Sequence, residues 1–218
     1  MIKKTRIAVA SILFLIVTLL HLYGCFNNEI LAFSTKPFLM VSLVILYLVS
    51  TKKPNFWLVS ALFFSFWGDV FLLFKEEFFL FGLASFLVAH FLYIKITAGF
   101  LKKIGFKKIV LVSLPFVAIL LGLLFLIKDN LGEMLIPVIV YGFTICSFGA
   151  VALLNYLQEK STENLWLFLG ALIFIASDSM IAINRFYEPK ELYTISIMVT
   201  YIVAQYLICK AMIVKDSN

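Results

Sequence analysis

Residues 56–74 read FWLVSALFFSFWGDVFLLF, and this stretch decides the fold class. An α-helix rises about 1.5 Å per residue, so roughly 20 such residues cross the hydrocarbon core of a bilayer. The stretch carries one charge, Asp69, and charges bound it on both sides: Lys52 and Lys53 before, Lys75, Glu76 and Glu77 after. Working outward, the same pattern of apolar run and polar break recurs. It predicts further spans near residues 7–23, 34–50, 78–97, 108–127, 132–154, 163–184 and 192–213. The expected fold is therefore all-α, a polytopic membrane protein with a compact bundle of eight transmembrane helices, forming a single domain over residues 1–218. The span at 34–50 is expected to open on Lys36-Pro37, since proline is tolerated in a first helical turn.

Composition agrees. The chain has 218 residues, of which 63% are hydrophobic and 14% charged, against about 25% charged in an ordinary soluble domain. One core cannot hide that much apolar surface. This excludes a disordered chain, a nucleic-acid-binding domain and a typical water-soluble enzyme, and leaves lipid as the main solvent. The net charge of +6 then reads as topology. With the N-terminus inside, thirteen of the 18 Lys and Arg residues fall on the inner side. Lys36, Lys75, Lys128, Arg185 and Lys190 fall outside. That bias places both termini in the cytoplasm. The three cysteines, Cys25, Cys146 and Cys209, form neither a disulfide framework nor a zinc pattern. Leu22-Tyr23-Gly24-Cys25 has some likeness to a lipoprotein cleavage site, but Tyr23 is too large for its position there. An uncleaved first helix is expected.

Polar residues inside the spans are costly and so carry information. Asp69 and Asp178 lie at similar predicted depth in two spans that run in the same direction. A shared polar pocket is expected, with independent capping of neighbouring helices as the bland reading. Two adjacent acids in low dielectric resist joint ionisation, and a protonated acid beside an ionised one is a general acid/base pair. That pair suits cleavage of an acetal-like or enol ether bond. In the span at 78–97, Ser85, His90 and Tyr93 share one side of the helix. His90 is a candidate proton-exchanging group, or equally a satisfied structural histidine. His21 is expected at the interface. Gly170, Ser177 and Asn184 recur every seven residues, and Tyr141, Thr144, Tyr201 and Gln205 add further polar positions. Lys36 is placed to answer the charge of Asp69 or Asp178, or to reach headgroups.

Other chemistries fit less well. There is no HExxH, GxSxG, Walker or GxGxxG motif. A His90/Asp69/Asp178 metal set is conceivable but short of the usual zinc donors, and neither metal nor cofactor is expected. A small-molecule or proton-coupled transporter is the main alternative, although Pro115 and Pro137 do not repeat as broken transporter helices do. A non-enzymatic packing protein is a third reading.

Several of these residues, in order, resemble the YhhN-like family of membrane proteins, which includes the animal lysoplasmalogenases. The matching pieces are Thr35-Lys36-Pro37, residues 61–69 (ALFFSFWGD), Phe81-Gly82-Leu83, residues 86–93 (FLVAHFLY) and residues 170–178 (GALIFIASD). The resemblance implies an eight-helix protein that hydrolyses the vinyl ether bond of lysoplasmalogens. The products would be a fatty aldehyde and glycerophospho-ethanolamine or -choline. It implies Asp69, Asp178 and His90 as catalytic groups. Lys36, Tyr93, Ser177, Ser85, Tyr141 and Asn184 are expected around the substrate, and Phe63, Phe66, Phe86 and Phe174 are candidates to hold its tail. The implied partners are a lysophospholipid and membrane lipid, not nucleic acid. The implied location is a bacterial inner membrane. Another ether or ester lysolipid is the alternative substrate.

Overall fold

The computed structural model describes residues 2–216 and is helical nearly throughout. The helices are α1 (Ile2–Asn27), α2 (Glu29–Ser50), α3 (Phe56–Phe71), α4 (Lys75–Ala98), α5 (Phe106–Ile127), α6 (Leu135–Gln158), α7 (Thr162–Phe186) and α8 (Glu191–Lys215). Short connections make sequential helices antiparallel neighbours, except at α4 and α5, where α6 packs against both instead. The core is built on Leu39, Tyr47, Leu58, Tyr93, Phe148, Phe174 and Ile208, all nearly inaccessible. Large apolar side chains such as Ile30, Phe106, Phe125 and Ile136 face outward, as expected where the surrounding solvent is lipid.

Seven helical segments are long and apolar enough to cross a membrane, where the sequence predicts eight. The difference lies in one place. The expected spans at 56–74 and 78–97 form one helical run of 43 residues, Phe56–Ala98. Leu72–Phe74 is a 3-10 turn, and Phe78 leaves helical geometry at φ −114°. Phe74, at φ −112° and ψ 50°, also leaves helical geometry, and the chain folds back there so that α3 and α4 pack side by side. Two glycines permit this approach. A Cβ on Gly68 would lie 2.5 Å from the Phe86 ring, and one on Gly82 would lie 2.8 Å from Leu72.

The second helix also differs from expectation. It begins at Glu29, not at Lys36-Pro37, because the Asn28 side chain caps it by accepting from the Leu31 N–H at 3.0 Å. Pro37 therefore lies inside the helix, where membrane helices tolerate it. Asn55 and Ser161 cap α3 and α7 in the same way. Gly170 lets α7 meet α8: a Cβ there would sit 2.8 Å from Ile208 and 3.1 Å from the Ala204 carbonyl. These close crossings set the rotation of α3, α7 and α8, and with it the direction of their polar residues.

Candidate active site

Asp69 lies in the last turn of α3, and Asp178 lies two turns before the end of α7. Both face one cavity of about 820 Å³ at the same end of the bundle. Its wall is shared by α1, α2, α3, α4, α7 and α8. The volume is in the range of sites that enclose a small organic ligand.

Each carboxylate is anchored by a tyrosine from another helix. The Tyr201 hydroxyl of α8 donates to Asp69 Oδ2 at 2.7 Å. The Tyr141 hydroxyl of α6 donates to Asp178 Oδ2. Neither acid has a cation within ion-pair distance, since Lys190–Glu188 is the one ion pair among the described residues. Neither Oδ1 has a hydrogen-bond partner among the described residues, so each acid keeps an oxygen for a bound molecule. The two settings differ. Asp69 is 2% exposed, and nearby Gln205 links Ser65 to Tyr93 through bonds of 3.1 and 2.7 Å. Asp178 is half-buried and also borders a small apolar slot of about 50 Å³ between α4, α6 and α7, walled by Leu83, Val138 and Ala182.

With this geometry the sequence can be set beside known proteins. Residues 31–212 match the YhhN family. The chain belongs to the YhhN family. It is similar to proteins of Mycobacterium bovis and Mycobacterium tuberculosis that are both called lysoplasmalogenase. Each is 32% identical over 157 residues, covering 70% of this chain and 58% of the relative. The alignment thus spans little more than half the length of those relatives. No solved structure matches the chain. Seven apolar helices and YhhN membership make this an integral, multi-pass membrane protein.

In this YhhN protein, Lys36, Asp69, Ser177, Asp178 and Asn184 share the cavity wall. The Ser177 hydroxyl donates to the Ile197 carbonyl at 3.1 Å, and Asn184 Oδ1 accepts from the Lys190 N–H at 2.8 Å. Both therefore tie α7 to the start of α8 as well as bordering the cavity. Tyr141 reaches the site through its bond to Asp178.

Ser85, His90 and Tyr93 lie apart from the cavity. Ser85 bonds the Phe81 carbonyl of its own helix at 2.8 Å. His90 is fully buried. Its Nδ1 lies 2.7 Å from the Phe86 carbonyl, an acceptor only, which assigns the proton to Nδ1. Its Nε2 is buried without a partner, among the rings of Tyr93, Tyr141, Phe148 and Phe174. His90 meets Asp178 only through Tyr141. Among the described residues no group of three His, Cys, Asp or Glu side chains is gathered for a metal ion.

Of the four phenylalanines expected around a tail, only Phe86 lines the cavity. Phe63 is exposed on the outer face, Phe66 is half-buried, and Phe174 packs in the core against His90.

His21 corrects an expectation. It is 2% exposed, not interfacial. Its Nδ1 sits 3.2 Å from the Ala32 carbonyl and 3.1 Å from Thr35 Oγ1, and its Nε2 is 3.6 Å from Cys25 Sγ. The hairpin of α1 and α2 folds it inward, because Gly24 lies against the Ala32 backbone. In the sequence Tyr201 stands out as a polar position with Gln205 four residues on, but nothing there joins it to Asp69. Arg185, seven residues after Asp178, falls on the polar face of α7 in the sequence; Lys75 reads there only as an end-of-helix charge.

Proposed function

We propose that this YhhN-family protein is a lysoplasmalogenase-like hydrolase that cleaves the vinyl ether bond of a lysophospholipid. The observation that carries the reading is the pair of tyrosine-anchored carboxylates on one cavity, with an apolar slot beside only one of them. The names of the two mycobacterial relatives support the substrate class.

A vinyl ether has a tail-side carbon and an ether-side carbon. Protonating the tail-side carbon yields an oxocarbenium ion centred on the other, so acid and base should stand on different sides of the bond. Asp178 borders the apolar slot, which has room for the first carbons of the alkenyl tail. It is the group placed to protonate the tail-side carbon. Asp69, reaching the same cavity from α3, stabilises the cation and takes a proton from water as that water adds to the ether-side carbon. The resulting hemiacetal collapses to a fatty aldehyde and a free glycerol hydroxyl, with ethanolamine or choline on the phosphate. Tyr201 and Tyr141 hold each carboxylate in one orientation. His90 acts behind Tyr141 as a positioning residue. The protein is read as a bacterial inner-membrane protein with both termini in the cytoplasm.

The test is turnover of lysolipids carrying vinyl ether, alkyl ether or ester links. Aldehyde release from the vinyl ether lipid alone is the expected result, because only that bond forms a stabilised cation on protonation. Cleavage of the ester lipid alone overturns the reading in favour of an ester hydrolase.

A further inference from the structure

The cavity wall carries a second pair of reactive groups, apart from the carboxylates. His21 and Cys25 stand one turn apart on α1, and both line the cavity. His21 Nε2 lies 3.6 Å from Cys25 Sγ, within reach of a hydrogen bond to sulfur. The other ring nitrogen fixes the direction of that bond. Nδ1 faces the Ala32 carbonyl at 3.2 Å, which can only accept. It also faces Thr35 Oγ1 at 3.1 Å, and that hydroxyl gives its own proton to the Leu31 carbonyl at 2.6 Å. Two acceptors therefore hold the proton on Nδ1 and leave Nε2 as a bare lone pair facing the thiol. The close crossing of Gly24 and Ala32 builds this arrangement, because it brings the α2 backbone against the His21 side of α1.

A thiol, a base that can take its proton, and acceptors that orient the base are the parts of an activated nucleophile. A cation completes the set. Lys36 lines the same cavity and lies within electrostatic reach of both Cys25 and Asp69. It is placed to offset negative charge developing on the sulfur or on an oxygen beside it. The other two cysteines lack this setting: Cys146 and Cys209 are buried and do not line the cavity.

Resting on the hydrolase reading above, which releases a fatty aldehyde into this cavity, we propose that Cys25 and His21 form a covalent holding site for a long-chain aldehyde. Sγ bonds to the carbonyl carbon as the thiol proton passes to His21 Nε2. The π pair of the C=O bond moves to the oxygen, which takes that proton back from Nε2. The adduct is a hemithioacetal. Nothing is oxidised or reduced and no group leaves, so the step reverses without a co-reactant. The adduct retains a reactive aldehyde that otherwise passes into the bilayer.

The experiment supplies the aldehyde directly, so it needs no turnover. The full chain in nanodiscs receives hexadecanal with an isotopic label at its carbonyl carbon. In wild type the labelled NMR resonance should move from the carbonyl region to that of a carbon bonded to both oxygen and sulfur. In Cys25→Ser it should behave as in protein-free nanodiscs. No movement in wild type, or the same movement in Cys25→Ser, overturns the site. Iodoacetamide labelling of wild type, read by peptide mapping, covers the case in which the serine variant misfolds. Hexadecanal should protect Cys25 about tenfold better than hexadecanol. Equal protection means occupancy without a bond and overturns the inference. His21→Gln should slow Cys25 labelling about tenfold and leave Cys146 and Cys209 unchanged, and Thr35→Val, which keeps the imidazole, should slow it about threefold. Wild-type rates in both variants reduce His21 to a packing group and overturn the pair.

The two readings fail separately. A wild-type protein that forms the adduct but cleaves no vinyl ether lipid overturns the hydrolase reading and supports the aldehyde site. One that cleaves the lipid without forming the adduct overturns the aldehyde site alone.

Discussion

Among the described residues the bundle contains three carboxylate–tyrosine pairs, and their settings differ more than their chemistry. Tyr201–Asp69 and Tyr141–Asp178 face the cavity at one end. Tyr47–Asp216 closes the opposite end, where the Tyr47 hydroxyl donates to Asp216 Oδ2 and accepts from the Asn55 N–H at 2.7 Å. That third pair ties α2 to the end of α8 and the start of α3, and it lines neither of the two cavities described above. A tyrosine hydrogen bond to an acid is therefore not a site by itself. What distinguishes the first two is an enclosed space that two carboxylates reach from different helices.

The strongest way to break this contrast is to neutralise the acids. Asp69→Asn or Asp178→Asn should lower aldehyde release by about 10²–10⁴-fold with an unchanged elution profile, while Asp216→Asn should stay within about twofold. Comparable losses in all three would erase the distinction. Next in size are the phenols. Tyr201→Phe and Tyr141→Phe should each lower kcat about tenfold and displace the pH–rate profile, because the carboxylate loses the phenol that donates to it. Tyr47→Phe should instead cost about 1 kcal/mol of stability, read as a lower Tm, with kcat retained. If the cavity phenols also changed only Tm, they would be staples of the same kind.

The smallest effect belongs to Asp216. Burial pushes its carboxyl above the usual carboxylate range, against the opposing pull of the Tyr47 hydrogen bond and the Lys215 charge. The folded protein then binds this proton more tightly than the unfolded chain. Its contribution is fully present below the unfolded pKa and is lost as pH rises through the raised folded value. Acidification through that window should raise Tm slightly in wild type relative to Asp216→Asn. The opposite slope would show that the hydrogen bond outweighs burial.

Much of the fold was legible in advance. Apolar runs bounded by charges placed the helices within a few residues, since lipid as solvent rewards continuous hydrophobicity. Two local errors have physical causes. The 3-10 turn at Leu72–Phe74 leads directly into α4, so Lys75-Glu76-Glu77 lie in the first turn of that helix instead of in a loop between two spans. The start of α2 was signalled by Asn28-Glu29, a cap followed by a first-turn acid, but Pro37 drew the boundary inward. At the site, the cost of burying a charge was enough to single out Asp69 and Asp178. It did not separate His90, sealed among aromatic rings, from His21, which lines the cavity.

By itself the sequence determined the solvent, the helical class and the two expensive carboxylates, because transfer to lipid is a cost summed residue by residue along the chain. Only the tertiary structure decided which polar groups meet. That depends on how each helix is rotated about its axis, and rotation is set by contacts with distant helices. Gly68 against Phe86 turns Asp69 towards the cavity, and Gly170 against Ile208 brings Tyr201 within reach of it. No local pattern around Lys75 or Tyr201 encodes those contacts, so their place on one wall with Asp178 and Arg185 appeared only once the helices were packed.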